Sequence, residues 1–464
     1  MSNKKIVVVG AGSQFAIGLS ESLVDYGRDM LAGTSVMLLD IRKDHLKTVH
    51  NFADQLAKST GVDMKFEFTT DRRKAFEGAD YILTTFRPGS HDQQEQDETV
   101  PIKYGLQGNE TVGIGGIFMA CRVVPVLQEI CKDAQEICPN AWVINYTNPT
   151  QYVADAVQRI SDLKVISLCD GYVDVGDDLG YLLGVDPSDV VVYPAGTNHA
   201  IWIMKFTVKG EDGYPILKER LSKMTWSEID EMFAPPAISD VLGINYTHEE
   251  IYKQFIRHYM FPFSLRLYQL TGLLPGPRYY HHYLLDQDAV IAAQKTGKYV
   301  SMAGFYMRHM EPRMFQNLED RLKQTSLNLI STRRVGGGGH GDLAVRVMSS
   351  MITNKAEVFS FNVTNNGAVS NLPHDAVLEL GGLINGLGAH PFAYGPLPNS
   401  VLGMQYSLVL AQQLAVDAAL SGNRNDLLKA IMAHPLIHSL DSAEKCMDEL
   451  LSLQKQWLPQ FFKK

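Results

Sequence analysis

At 464 residues the chain is long enough for two domains, or for one large domain with additions. A net charge of −9 without a basic cluster excludes nucleic acid and anionic membrane as partners, and no uninterrupted apolar stretch reaches the roughly 18 residues that span a bilayer. Five cysteines (121, 131, 138, 169 and 446), odd in number and without framework spacing, fit a reducing compartment. With Ser2-Asn-Lys-Lys leading directly into a strand, the expected location is the cytoplasm.

The first predicted strand, Ile6–Val9, runs straight into Gly10-Ala-Gly12-Ser-Gln-Phe-Ala16. This is close to G-x-G-x-x-G/A, with the last small residue one position late. Gly10 permits a tight turn, Gly12 lets a pyrophosphate approach the backbone, and Ala16 lets the following helix (17–30) pack closely on the strand. Free N–H groups at that helix's start supply an anion site. The second strand, 36–40, ends in Asp40, an acid placed to hydrogen-bond the ribose hydroxyls of NAD and to repel the 2′-phosphate of NADP. The plainer alternative is a glycine turn in an ordinary α/β domain.

Further strands are predicted at 65–69, 79–86, 142–145, 164–168 and 190–193, with amphipathic segments such as 122–138 between them. That alternation predicts an α/β fold built on a Rossmann-like doubly wound parallel sheet. Three of these runs end in polar groups: Asn145-Tyr-Thr-Asn148-Pro149, Cys169-Asp170 and Thr197-Asn198-His199. Ligands gather beyond the carboxyl ends of such strands, so a thiol, a carboxyl and an imidazole are expected around one crevice. Taken singly, Cys169 is as well explained as a small core residue and His199 as a structural histidine. After His199 a strand over 202–208 gives way to a polar stretch, then to mostly helical sequence from 249 to 315. Residues 325–341 hold Arg333-Arg334 and four consecutive glycines, a predicted loop, and 399–462 reads as two or three helices. The division expected is an NAD-binding domain over 1–200 and a C-terminal substrate-binding and catalytic domain over 201–464.

Several segments together resemble the family 4 glycoside hydrolases, over nearly the whole chain. They are the glycine motif, Phe86-Arg-Pro-Gly89, the stretch Val100 to Gly116 with Gly108-Asn-Glu-Thr111, Ile144 to Pro149, Cys169-Asp170, Gly196-Thr-Asn-His199, Phe361 to Gly367 and Asn371 to Val377. The fold this implies is similar to the lactate/malate dehydrogenases, and an NAD-dependent dehydrogenase of that type is the alternative. A plain dehydrogenase has no need of the Cys/His pair, and a nucleotide-binding regulator would bind NAD but release nothing.

The family is an NAD-dependent exception among glycosidases. The resemblance implies oxidation of the sugar at C3 by NAD⁺, removal of the C2 proton, elimination of the aglycone, addition of water and return of the hydride. It also implies a divalent metal, commonly Mn²⁺, on Cys169 and His199. Thiolate with imidazole by itself would suit zinc. Asp170 is implied as the acid that protonates the leaving oxygen, with a helix-capping Asp as its structural alternative. The C2 base is implied to be Tyr279, with Tyr280 beside it, and for either the plainer account is core packing. Glu110 is expected to assist at the metal or sugar, Asn148 to bind sugar hydroxyls, and Arg87 and Arg278 to contact substrate. Gln94 stands where many members acting on 6-phosphorylated sugars carry Arg, whereas Cys-Asp is typical of α-acting phosphoglycosidases. The expected substrate is a small-molecule α-linked hexoside, the alternative a 6-phospho-α-glycoside. The expected assembly is a homodimer or homotetramer.

Overall fold

The computed structural model describes residues 4–169, 174–233, 261–276, 302–324, 326–328 and 341–463. Its first half carries six strands: β1 (Lys5–Val9), β2 (Ser35–Leu39), β3 (Lys65–Thr69), β4 (Tyr81–Thr84), β5 (Trp142–Asn145) and β6 (Lys164–Ser167). All pair in parallel in the order 3-2-1-4-5-6. That is the doubly wound arrangement of dinucleotide-binding proteins, in which order reverses between β1 and β4.

The apolar runs that predicted these strands are continuous because both faces of the sheet are covered. Alternate residues of β1 enter two different cores. Val7 and Val9 join Ile82, Val143 and the helix Gly113–Ile137. Ile6 and Val8 join Leu83, Ile144 and the helices Phe15–Gly27 and Lys43–Thr60.

The helix Gly113–Ile137 is long and apolar enough to cross a bilayer, but 78% of its most apolar window is buried inside the protein. It is a core helix. The amphipathic segment expected at 122–138 therefore begins nine residues earlier. Gly115 and Gly116 lie in its first turn, where they permit a close backbone approach. A Cβ at Gly115 would fall 2.1 Å from the Asn109 carbonyl oxygen, and one at Gly116 2.3 Å from that of Thr111.

The rest of the chain extends the same sheet with β7 (Val190–Thr197), β8 (Ala200–Val208), β9 (Glu211–Asp212), β10 (Leu274–Pro275), β11 (Glu357–Thr364), β12 (Val377–Asn385) and β13 (Gly388–Pro391), all antiparallel. It joins the parallel half through β11 on β6, where Asn362 faces Ser167. The run at 190–193, expected as one more parallel strand, is thus half of the β7–β8 hairpin. A strand that leaves through the two-residue turn Asn198-His199 pairs with its successor, whereas a parallel neighbour needs a crossover of a dozen residues or more. The expected strand at 202–208 is β8, and the expected C-terminal helices are Asn399–Ser421, Arg424–Ala433 and Leu440–Leu453.

Candidate active site

The glycine loop leaves β1 at Gly10, whose φ of +93° lies in the region that favours glycine. A Cβ there would meet the Thr85 carbonyl oxygen at 2.4 Å, so the loop lies directly on the end of β4. Gly12 donates its N–H to Asp40 Oδ2 at 2.8 Å, and Arg42 N–H donates to Asp40 Oδ1 at 2.7 Å. Each carboxylate oxygen keeps a lone pair for a further donor. A Cβ at Gly12 would stand 2.8–3.1 Å from that carboxyl group. Ala16, 1% exposed, packs the helix Phe15–Gly27 against the sheet. The Ser13 Oγ is buried in this cradle with no hydrogen-bond partner. A loop held open by glycines, a half-satisfied acid and an orphaned hydroxyl fit a dinucleotide. Ile41, between Asp40 and Arg42, is 92% exposed.

Cys169 follows β6, and Leu168 N–H donates to the Asn145 carbonyl at 2.8 Å, fixing the chain against β5. Asn145 is fully buried; its side chain accepts from Thr84 Oγ at 2.7 Å and donates to Ser167 Oγ and the Thr147 carbonyl. It knits three strand ends together. Asn148, half-buried, accepts from Thr150 Oγ at 3.2 Å. His199 arrives from the other half of the sheet and brings Nε2 to 3.6 Å from Cys169 Sγ. One ion bonded at about 2.3 Å to sulfur and about 2.1 Å to nitrogen spans donors this far apart. Among the described residues no third His, Cys, Asp or Glu joins them.

His199 has φ +63°, a conformation uncommon outside glycine that costs of order 1–3 kcal/mol and persists only where the surroundings enforce it. The surroundings do so through buried side chains. Gln405, from the helix Asn399–Ser421, accepts from Thr197 N–H at 2.8 Å and donates to the Ala200 carbonyl at 2.5 Å, clamping both sides of the turn. Gln151 accepts from Asn198 N–H at 2.8 Å. The Asn198 side chain donates to Glu379 Oε2 at 2.8 Å, while Ser360 Oγ donates to Glu379 Oε1 at 3.1 Å. Burial pushes the Glu379 carboxyl up to about 7 against those two hydrogen bonds. None of these supports was expected. Glu379 left a trace, an acid inside the apolar run Val377-Leu-Glu-Leu; Gln405 and Gln151 left none.

Four further residues form one polar chain in the segments that follow β4. Arg87 Nη1 and Gln94 Nε2 both donate to Glu110 Oε2 at 2.7 Å, and Gln94 Oε1 faces His91 Nδ1 at 3.1 Å. Glu110 is carried on a loop pressed against the helix His91–Lys103, since a Cβ at Gly108 would collide with the Glu98 carbonyl. Arg87 is therefore already neutralised by a carboxylate. Asp170, Arg278, Tyr279 and Tyr280 lie outside the described residues.

Comparison with known proteins covers nearly the full length of the chain. The family 4 glycosyl hydrolase model matches residues 5–185, and the model of that family's C-terminal domain matches residues 194–437. The chain is 30% identical to a probable 6-phospho-beta-glucosidase of Bacillus subtilis, over 99% of this chain and 98% of that one. It is 26% identical to an alpha-galactosidase of the same organism, over 99% and 100%. Its fold matches a 6-phospho-beta glucosidase of Thermotoga maritima, solved with manganese, NAD+ and glucose-6-phosphate, at a TM-score of 0.78, covering 98% and 99% with 24% identity. This chain belongs to the family 4 glycosyl hydrolases and is a glycosidase.

Proposed function

We propose that the enzyme cleaves an α-linked hexoside with NAD⁺ on Gly10, Gly12, Ala16 and Asp40 and a divalent ion, Mn²⁺ first among candidates, on Cys169 and His199. The observation that carries this is the approach of Cys169 and His199 to 3.6 Å, from opposite halves of a sheet whose parallel half carries the glycine cradle. Bound in these places, the cofactor supplies a reversible oxidation at the sugar's C3 and the metal a Lewis acid that makes the neighbouring C2 hydrogen acidic. Cys169 and His199 hold the metal and leave room for the sugar's hydroxyls. Asn148, half-buried beyond β5, orients the ring by hydrogen bonding. Asp170 protonates the departing oxygen, and Tyr279, or Tyr280 beside it, takes the C2 proton. Glu110 reaches the sugar or metal from its contact with Arg87. Residues 1–200 bind the cofactor, while 201–464 complete the substrate site with Arg278.

The Arg87–Glu110 pair favours an unphosphorylated sugar. A guanidinium that already satisfies a carboxylate has less to offer a phosphate, and Gln94 adds no charge. A 6-phosphoglycoside is the second reading, favoured by the phosphoglucosidase relative. Matched free and phosphorylated nitrophenyl glycosides of both anomers, assayed with NAD⁺, Mn²⁺ and reductant, decide between them through kcat/KM. A phosphate preference of about a hundredfold, roughly 2.7 kcal/mol, overturns the first. Turnover in D₂O tests the reaction itself. Deuterium is expected at C2 of the released sugar, and its absence excludes elimination and addition. We further propose a cytoplasmic homodimer or homotetramer. Exposed Tyr406 and Leu410, one turn apart on the helix Asn399–Ser421, offer it an apolar face, and light scattering measures the mass.

A further inference from the structure

The end of β2 carries two contradictory signals. Asp40 suits a ribose hydroxyl, but an arginine nearby is what accommodates the 2′-phosphate of NADP, and Arg42 stands two residues on. The fold resolves the conflict with a residue 269 positions away. Glu311, on the helix Met302–Leu322, accepts from both terminal nitrogens of Arg42 at 3.1 Å. The same guanidinium donates to the Gly12 carbonyl at 2.5 Å, so it is turned back onto the glycine loop. On its other side, Glu311 Oε2 lies 3.4 Å from His91 Nε2. Glu311 is itself only 16% exposed.

We propose that Glu311 is a specificity-determining residue for the cofactor: by holding Arg42 against the glycine loop, it makes the site select NAD over NADP. The inference rests on the reading of that loop as the NAD site. A 2′-phosphate at the ribose meets the carboxylates of Asp40 and Glu311, while the nearest guanidinium is already bonded to a carboxylate and a carbonyl. Ionisation supports the geometry. Burial opposes charge on Glu311, but the bonds from His91 and Arg42 outweigh it and hold its carboxyl down to about 2, so the clamp is charged at every working pH. Dinucleotide selection at β2 is thus set partly from the second half of the chain.

The test is titration of NAD and NADP, by calorimetry or cofactor fluorescence, into wild type, Glu311→Gln, Arg42→Ala/Glu311→Gln and Gly12→Val. Wild type is expected to prefer NAD. Glu311→Gln releases Arg42, and its NADP affinity should rise about tenfold or more relative to NAD. The double variant should lose that gain, because no guanidinium remains to be released. A ratio within about threefold of wild type in Glu311→Gln overturns the proposal. So does a gain that persists in the double variant, since repulsion by Glu311 alone would then suffice. If Glu311→Gln does not fold, Glu311→Ser carries the same comparison. Unchanged NAD affinity in Gly12→Val is a separate result: it removes the cofactor reading beneath the proposal.

Discussion

The cofactor loop and the His199 turn sit on the two halves of one sheet, and opposite means hold them in place. The loop is placed by missing side chains: Gly10 and Gly12 let backbone lie on the Thr85 carbonyl and beside the Asp40 carboxyl. The turn is placed by side chains that are present, buried and polar: Gln405, Gln151 and Glu379. Backbone packing leaves a sequence signature, because only glycine fits. Side-chain buttressing leaves almost none, because a glutamine that clamps a turn reads like any other glutamine on a helix.

The sharpest way to break the contrast is Gly12→Val. Its side chain enters space held by Asp40 and obstructs the pyrophosphate, so NAD affinity should fall by about a hundredfold or more, while circular dichroism still shows a folded chain. Retained NAD binding sinks the assignment of this loop. On the metal side, Cys169→Ser should weaken Mn²⁺ binding by about tenfold or more, since a neutral hydroxyl is a poor substitute for thiolate. Chelation should abolish activity and Mn²⁺ restore it. A chelated enzyme at full rate removes the metal from the mechanism.

Gln405→Leu probes the buttress. It leaves the Thr197 N–H and the Ala200 carbonyl buried without their partner, at about 1–3 kcal/mol each. Stability should fall by a few kcal/mol, and Mn²⁺ affinity with it, since His199 is then free to leave its left-handed conformation. An equal loss of stability with unchanged Mn²⁺ affinity confines Gln405 to a structural part.

The strands of the parallel half were legible because continuous β-branched runs, bounded by turns, have few other ways to be buried. The turn at Gly10 and Gly12 and the strand end at Asp40 were legible because a chain that turns back this tightly after β1 needs glycine. Cys169 and His199 were legible as strand ends, but the reason His199 reaches Cys169 was not. The sequence placed its run as a parallel strand, when the two-residue turn requires a hairpin. Glu311 was beyond reach for a different reason. Its partner Arg42 is 269 positions away, and no local pattern pairs two charges across that distance.

Glu379 gives the smallest and most diagnostic effect. Its carboxyl sits at about 7 in the folded protein against an ordinary 4.5, raised by burial. Below about pH 4.5 it is protonated in both folded and unfolded chains and contributes no pH dependence. Between about 4.5 and 7 the unfolded chain releases the proton while the folded one retains it, so stability declines as pH rises and levels off above 7. The whole decline is on the order of 3 kcal/mol at most. Glu379→Gln cannot ionise, yet its amide can still bond Asn198 and Ser360, so this part of the pH slope should vanish while the turn survives. Chemical denaturation of metal-free wild type and variant at pH 5 and pH 8 measures it. If the two proteins keep the same slope without metal, Glu379 is ionised throughout, and the His199 turn is held by a buried anion.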